Sequence, residues 1–271
     1  MTSDGLTSQQ KRMALRWQRY VSPIRPSKGM VELYEKNIGI VIKNKFEYVW
    51  GLLGCTPEIR SIAGKYQAKI TCIDRNPDAF YAFKTICEPS KYESFICSDW
   101  LSLNLDEMFD IVLGDGAMSM LPIEEHGTFL KNIHKIIKPG GYAVLRIHTI
   151  VPLPFDSPKK IFDWYRNKND ITPIFSTLWD YLYSLWLNLD TLNVSHNVFL
   201  SKLLEVYKAG LINLEELEKL ITDNDYSVLV QYSRKEIFEK QISGFFQIES
   251  VDYAGDYPLH RNHPIYFLRK K

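Results

Sequence analysis

Residues 49–64, VWGLLGCTPEIRSIAG, decide how the rest of the chain is read. "VWGLL" is an apolar run of strand length, and the residues after Gly54 open like a helix. Gly54 permits a tight turn, Thr56 stands where a capping hydroxyl would sit, Pro57 suits the first helical position, and Glu58 favours the positive end. A pyrophosphate needs close backbone approach at several points, hence the three glycines of a dinucleotide turn. Here Thr56 and Pro57 replace the later glycines, and Pro57 removes an amide donor. The turn therefore suits a guest without phosphate, such as a zwitterionic amino-acid group, or it is a plain connection.

Working outward, "FEYVWGLL", "KITCID", "SFICSD", "FDIVLGD" and "YAVLRIH" are apolar runs rich in β-branched and aromatic residues. Between them "TPEIRSIA", "NPDAFYAFKTIC" and "IEEHGTFLKNIHKIIK" carry helical periodicity. Strands alternating with helices predict an α/β fold, a doubly wound, mostly parallel sheet, over residues 46–148. In such a sheet ligands sit beyond the carboxyl ends of the strands. The residues there are Gly54 after the first strand, Asp74 after the second, Asp99 and Trp100 after the third, and Asp115 between two glycines after the fourth. Asp74 lies at the ~20-residue spacing of a ribose-binding acid, and is otherwise a turn acid before a helix. Asp99 is either a cap or an acceptor for an adenine amino group, with Trp100 packing on or beside the ring. Asp115 is a satisfied turn acid or meets an ammonium group.

Residues 1–45 form an N-terminal helical segment interrupted by Pro23 and Pro26. Ser27 caps a helix whose Met30, Leu33, Tyr34, Ile38 and Val41 share a face. Residues 149–233 break the strand–helix rhythm and are expected to be a helical insertion. It contains an aromatic helix over 174–189, with Phe175, Leu178, Leu182, Leu185, Trp186 and Leu189 at helical intervals, and an Asn213–Glu216 capping box. Residues 234–271 return to the sheet with a last helix and two closing strands, "GFFQIESVDYAG" and "HPIYFLRKK".

Lys and Arg number 33 against 32 Asp and Glu, a net charge of +1, which argues against a nucleic-acid partner. The four cysteines show no metal-ligand or redox-pair spacing and are expected to be reduced and buried, in a cytoplasmic protein. No metal is expected. The first residues lack the apolar core of a signal peptide, and no stretch is long and apolar enough for a membrane span.

The strand, glycine turn, Asp74, Asp99-Trp100, "FDIVLGDG" and "LKNIHKIIKPGGYAVLRI" together resemble class I S-adenosylmethionine-dependent methyltransferases, with the "KPGG" turn the most specific piece. The resemblance covers about residues 46–148 and the closing hairpin. It implies a Rossmann-like sheet with an antiparallel closing hairpin and S-adenosylmethionine as cofactor. It implies that Gly54, Cys55 and Thr56 meet the methionine portion, that Asp74 with Arg75 holds the ribose, and that Asp99 and Trp100 hold the adenine. Asp115 and Gly116 would face the methionine group and the transferred methyl. The sequence departs from the family pattern at Gly51, where an acid often stands, and in "GCTPE", which replaces the later glycines.

Methyl transfer from a sulfonium mainly requires alignment, and a base only when the acceptor arrives protonated. His148 is the first candidate base and Asp115 the acid across from it; a hydrogen-bonded strand-end histidine is the alternative. Arg146 would grip a substrate anion or pair with a structural acid. Trp17, Tyr20 and Arg25 belong to a segment that in many relatives folds over the cofactor, or they pack on the sheet edge. The insertion would shape a small-molecule acceptor site, with His196 a weaker candidate. A non-catalytic binding protein and a nicotinamide oxidoreductase remain the alternatives. Acceptor, methylated atom and oligomeric state are not legible in the sequence.

Overall fold

The computed structural model describes residues 5–43, 47–167, 175–222 and 230–271. Phe46 at the head of the first apolar run and the side chain of Phe175 in the insertion helix lie outside the described residues. Seven strands form one sheet: β1 (Val49–Leu53), β2 (Lys69–Asp74), β3 (Glu93–Cys97), β4 (Phe109–Asp115), β5 (Ile137–Arg146), β6 (Phe246–Asp252) and β7 (Ile265–Lys270). Their spatial order is β3-β2-β1-β4-β5-β7-β6, with β1 to β5 parallel and β7 antiparallel to both its neighbours. The predicted doubly wound sheet and its closing hairpin are therefore both present. The order reverses on either side of β1, and that reversal opens the crevice where ligands bind in such sheets.

Helices cover both faces because the central strands are apolar on both sides. On one face α2 (Lys28–Ile42), α3 (Pro57–Lys65) and α4 (Pro77–Lys84) bury Tyr34, Ile38, Ile59 and Phe80 against Trp50, Leu52, Ile70 and Cys72. On the other, α5 (His126–Ile136) and α10 (Lys235–Ile242) bury Phe129, Ile133 and Phe238 against Phe109, Val112 and Tyr266. Side chains buried to this degree each contribute about 1.5–3 kcal/mol. Gly51 fits this packing: a Cβ there would lie 3.0 Å from the Phe109 ring, so a side chain at that point would press on the ring.

Ser27 caps α2 by accepting from the Met30 amide, and it also donates to Asp256 at 2.7 Å. Before it, α1 (Ser8–Arg19) packs on α4, and its Gln10 Nε2 donates to Asp78 Oδ1 at 2.8 Å. The insertion consists of α6 (Pro158–Arg166), α7 (Phe175–Leu185), α8 (His196–Lys208) and α9 (Leu214–Thr222) around its own core of Phe162, Leu178, Leu182, Phe199 and Tyr232. The expected Asn213–Glu216 capping box is present, with bonds of 2.8 and 2.9 Å.

Several expectations are corrected. The aromatic helix stops at Leu185 rather than running to 189, because Asn188 turns the chain, its side chain accepting from the amides of Asp190 and Thr191. Leu189 is accordingly 63% exposed. "KPGG" does not precede the strand but lies within β5, where pairing with β4 shifts register between Phe109 and Ile111 and Gly140 has φ +71°. The looped-out residues act as a bulge. Of the four cysteines, all free, Cys55 and Cys72 are buried, but Cys87 is half-buried and Cys97 exposed at the end of the edge strand β3.

Candidate active site at the strand ends

A cavity of about 370 Å³ opens at the carboxyl ends of β1, β2, β4 and β5, between α1 on one side and the insertion on the other. Gly54 sits at its floor with φ +92°, its amide donating to Ile73 O at 2.8 Å. A Cβ built on Gly54 would lie 3.8 Å from Asp74 Oδ2 and 4.0 Å from the Trp100 ring, so the ends of β1, β2 and β3 converge there. Asp74 Oδ1 accepts from the Asn76 amide at 2.8 Å, and burial raises the carboxyl above its ordinary range. The Trp100 indole donates to Ile73 O at 2.7 Å, which fixes the ring as part of the wall. Cys55 and Thr56 also line the cavity.

Asp99 and Arg75 do not line it. Asp99 accepts from the Leu101 amide at 2.9 Å and caps the short helix that carries Trp100, so the acid holds the ring's support rather than facing the space. Thr56 occupies the N-cap position of α3, but its side chain makes no capping bond; its carbonyl accepts from the Arg60 amide at 3.1 Å instead. That corrects the expected hydroxyl cap.

Asp115 and Arg146 face each other across β4 and β5 and pair at 2.5 Å, both essentially buried. Burial raises the Asp115 carboxyl, with Arg146 opposing the shift. Arg146 Nη1 also donates to Pro23 O at 2.5 Å, and Arg146 lines the cavity. Gly116 follows with φ +71°, and a Cβ there would stand 3.5 Å from Arg146 Nη2 and 3.6 Å from His148 Nε2. Strand β5 ends at Arg146, so His148 lies just beyond it, its amide bonded to Ser119 Oγ at 3.1 Å. Its ring is buried, and neither ring nitrogen has a hydrogen-bond partner among the described residues. Burial first, and then Arg146, hold its pKa well below the ordinary histidine value, so the imidazole is neutral at pH 7.

The N-terminal segment closes one side. Trp17 and Tyr20 line the cavity, with Trp17 packed on Phe83 at 5.0 Å between ring centres. Arg25 does not line it; its Nε donates to Glu58 Oε1 at 2.5 Å, and the Trp17 indole donates to the same oxygen at 3.3 Å. Glu58, placed by sequence only as a favourable charge at the start of α3, is thus the anchor of this segment. The opposite wall comes from the insertion: Trp179, Asp180 and Tyr183 of α7, with His196 and Phe199 of α8. Asp180 was not singled out by sequence. Its signal was being the only charge between residues 171 and 189, inside an aromatic helix where a charge has little water to face.

The walls are mostly apolar, with a few converging polar groups, the composition of a small-molecule site. Among the described residues no group of three or more potential ligands could hold a metal ion, and no helix is long and apolar enough to cross a membrane.

Comparison with known proteins bears on the domain and the fold. Residues 53–141 match the family model described as "Methyltransferase domain". No curated protein matches the sequence. Among solved structures, the N-methyltransferase NodS from Bradyrhizobium japonicum WM9, in complex with S-adenosyl-L-homocysteine, is similar at 11% identity and TM-score 0.53, over 96% of this chain and 98% of that one. The 1,6-didemethyltoxoflavin-N1-methyltransferase of Burkholderia thailandensis, with 1,6-didemethyltoxoflavin and S-adenosylhomocysteine bound, is similar at 11% identity and TM-score 0.55, over 98% of this chain and 91% of that one. At such identities the similarity establishes the fold.

Proposed function

We propose that this chain, which carries a class I S-adenosylmethionine-dependent methyltransferase domain in a sheet of the same class, methylates a small molecule held between the strand ends and the helical insertion. The observation that carries the proposal is the meeting of Gly54, Asp74, Trp100 and Asp115 in one cavity whose other half is built from insertion aromatics. These residues fit the cofactor. Gly54 leaves open the space a Cβ would fill beside Asp74 and Trp100, Asp74 offers a carboxylate to a ribose diol, and Trp100 offers a fixed aromatic surface to a base. Cys55, Thr56 and Asp115 line the cavity on the side we assign to the methionine portion, and Gly116 follows Asp115 without lining it. A turn with one obligatory glycine is adequate because this guest has no pyrophosphate.

When bound, the cofactor supplies an electrophilic methyl on a positively charged sulfur that leaves neutral. The protein's task is alignment and exclusion of water. Arg146, held by Asp115 and Pro23, acts as a positioning group that ties the N-terminal segment to the methyl end of the site. Trp17 and Tyr20 close the cofactor side. His148, neutral, with ring nitrogens unpartnered among the described residues and within reach of the Gly116 turn, accepts the proton of an acceptor whose own proton is acidic, because burial and Arg146 make the imidazole a weak base. The near-neutral charge supports a small molecule over a nucleic acid, and the free cysteines support a cytoplasmic location.

Thermal shift with S-adenosylhomocysteine, NAD and ATP tests the ligand class. S-adenosylhomocysteine at 100 times its Kd is expected to add about 2.7 kcal/mol to the folded state, and NAD and ATP nothing. Stabilisation by NAD alone refutes the proposal.

A further inference from the structure

Asp180 is 1% exposed on α7 and lines the cavity. Its Oδ1 accepts from the Tyr232 hydroxyl at 2.6 Å, whereas Oδ2 has no hydrogen-bond partner among the described residues. The nearest group of opposite potential charge is His263, with Nε2 at 3.9 Å. That histidine cannot serve as partner. Its Nδ1 lies 3.1 Å from Leu259 O and is the nitrogen that donates there, so in the neutral ring Nε2 presents a lone pair to the carboxylate. Burial, reinforced by His148 and Arg146, keeps His263 neutral. A buried carboxylate oxygen left this way is costly, and the cost is relieved either by protonation of the carboxyl or by a donor brought from outside.

The surroundings indicate what that would be. Trp179 and Tyr183 stack on each other at 4.6 Å between ring centres, Tyr183 stacks in turn on Tyr232 at 5.7 Å, and Phe199 packs 5.5 Å from Trp179, an aromatic cluster whose Trp179, Tyr183 and Phe199 line the same cavity as Asp180. The Trp179 indole N–H is also buried and unpartnered among the described residues. A donor and an acceptor without partners among the described residues therefore belong to one aromatic-lined cavity, a combination suited to a planar ring with polar atoms on its rim.

We propose that Asp180 selects the acceptor, its Oδ2 taking a hydrogen bond from an N–H or O–H group on a planar aromatic molecule held in the part of the cavity lined by Trp179, Tyr183 and Phe199. The proposal rests on the assignment of this half of the cavity to the acceptor and names its chemistry. Burial raises the Asp180 carboxyl to about 7. The groups facing it are Tyr232, His263, Arg146, Tyr257 and Tyr181, with His148 against both Tyr232 and His263. The carboxylate that accepts the ligand's hydrogen bond therefore accumulates as the pH rises through neutrality.

The test uses matched aromatic probes, 2-naphthol against 2-methoxynaphthalene and indole against 1-methylindole, titrated into the full-length protein with and without S-adenosylhomocysteine. The donor-bearing member of each pair is expected to bind at least about tenfold more tightly, and Asp180→Asn to abolish that preference while S-adenosylhomocysteine affinity stays unchanged. In the unaltered protein 2-naphthol should bind more tightly at pH 8 than at pH 6, with 2-methoxynaphthalene flat; this arm stands even if the variant fails to fold. Equal binding of both members, no binding of either, a preference retained in Asp180→Asn, or a flat pH profile for 2-naphthol each overturns the proposal. Loss of S-adenosylhomocysteine binding with the probe preference intact would sink the methyl-transfer assignment and leave Asp180's role standing.

Discussion

At the scale of the residue, Gly54 and Asp74 carry the cofactor assignment and are tested directly. Gly54 has φ +92°, which L side chains rarely adopt, so Gly54→Ala is expected to cost about 1–3 kcal/mol through backbone strain as well as to narrow the floor of the cavity. Calorimetry should show weakened S-adenosylhomocysteine binding. Asp74→Ala should weaken it tenfold or more by removing charge-assisted hydrogen bonds worth about 1.5–3 kcal/mol, and an unchanged Kd removes Asp74 from the site. His148→Asn should lower kcat by about 10²–10⁴ for an acceptor that must lose a proton, with cofactor affinity unaltered. Gly54 and Asp74 could be singled out from the sequence because a strand-end position in a doubly wound sheet points to the ligand crevice, and the cavity lining includes both. Asp99 and Thr56 were less legible, since one position serves equally for capping a helix and for facing a ligand, and only the coordinates show Asp99 bonded to Leu101. Asp180 was least legible. Its role depends on which face of α7 meets the sheet's end, and local periodicity does not contain that information.

At the scale of the element, the strands and helices from β1 to β5 were readable because their two-sided burial writes apolar runs separated by amphipathic ones. What escaped were features set by pairing or by turn chemistry, such as the bulge at Pro139–Gly140 and the early stop of α7 at Asn188. One contact between elements was also unforeseen. Arg60 of α3 makes two 2.7 Å bonds to Glu93 of β3, donates to Phe80 O at 3.0 Å, and is fully buried. Glu93→Ala leaves that guanidinium without its counter-charge and should destabilise the fold by about 3–5 kcal/mol, measured as a lower urea midpoint at unchanged slope. A loss under about 1 kcal/mol would show that α3 relaxes to hydrate Arg60.

At the scale of the whole molecule, burial lowers the pKa of both His148 and His263, so each binds protons more readily unfolded than folded. Their contribution to stability is complete above about pH 6.5 and is lost as the pH falls below it, by up to ~1.4 kcal/mol per histidine per unit. Asp180, raised to about 7, acts in the opposite sense, its contribution fading as the pH climbs from about 4 to 7. His148→Gln is therefore expected to flatten the fall in stability between pH 6.5 and 5 seen in denaturant titrations, and an unaltered slope would show that the ring is hydrated. The tethering of residues 8–25 has a kinetic corollary. If residues 8–25 swing aside when cofactor enters or leaves, the Arg25–Glu58 pair breaks; it is part-exposed and so weakened by salt, whereas the Asp115–Arg146 pair is shielded from it. If turnover waits on the departure of spent cofactor, added electrolyte should speed the steady state while a single round of chemistry on preloaded enzyme keeps its pace.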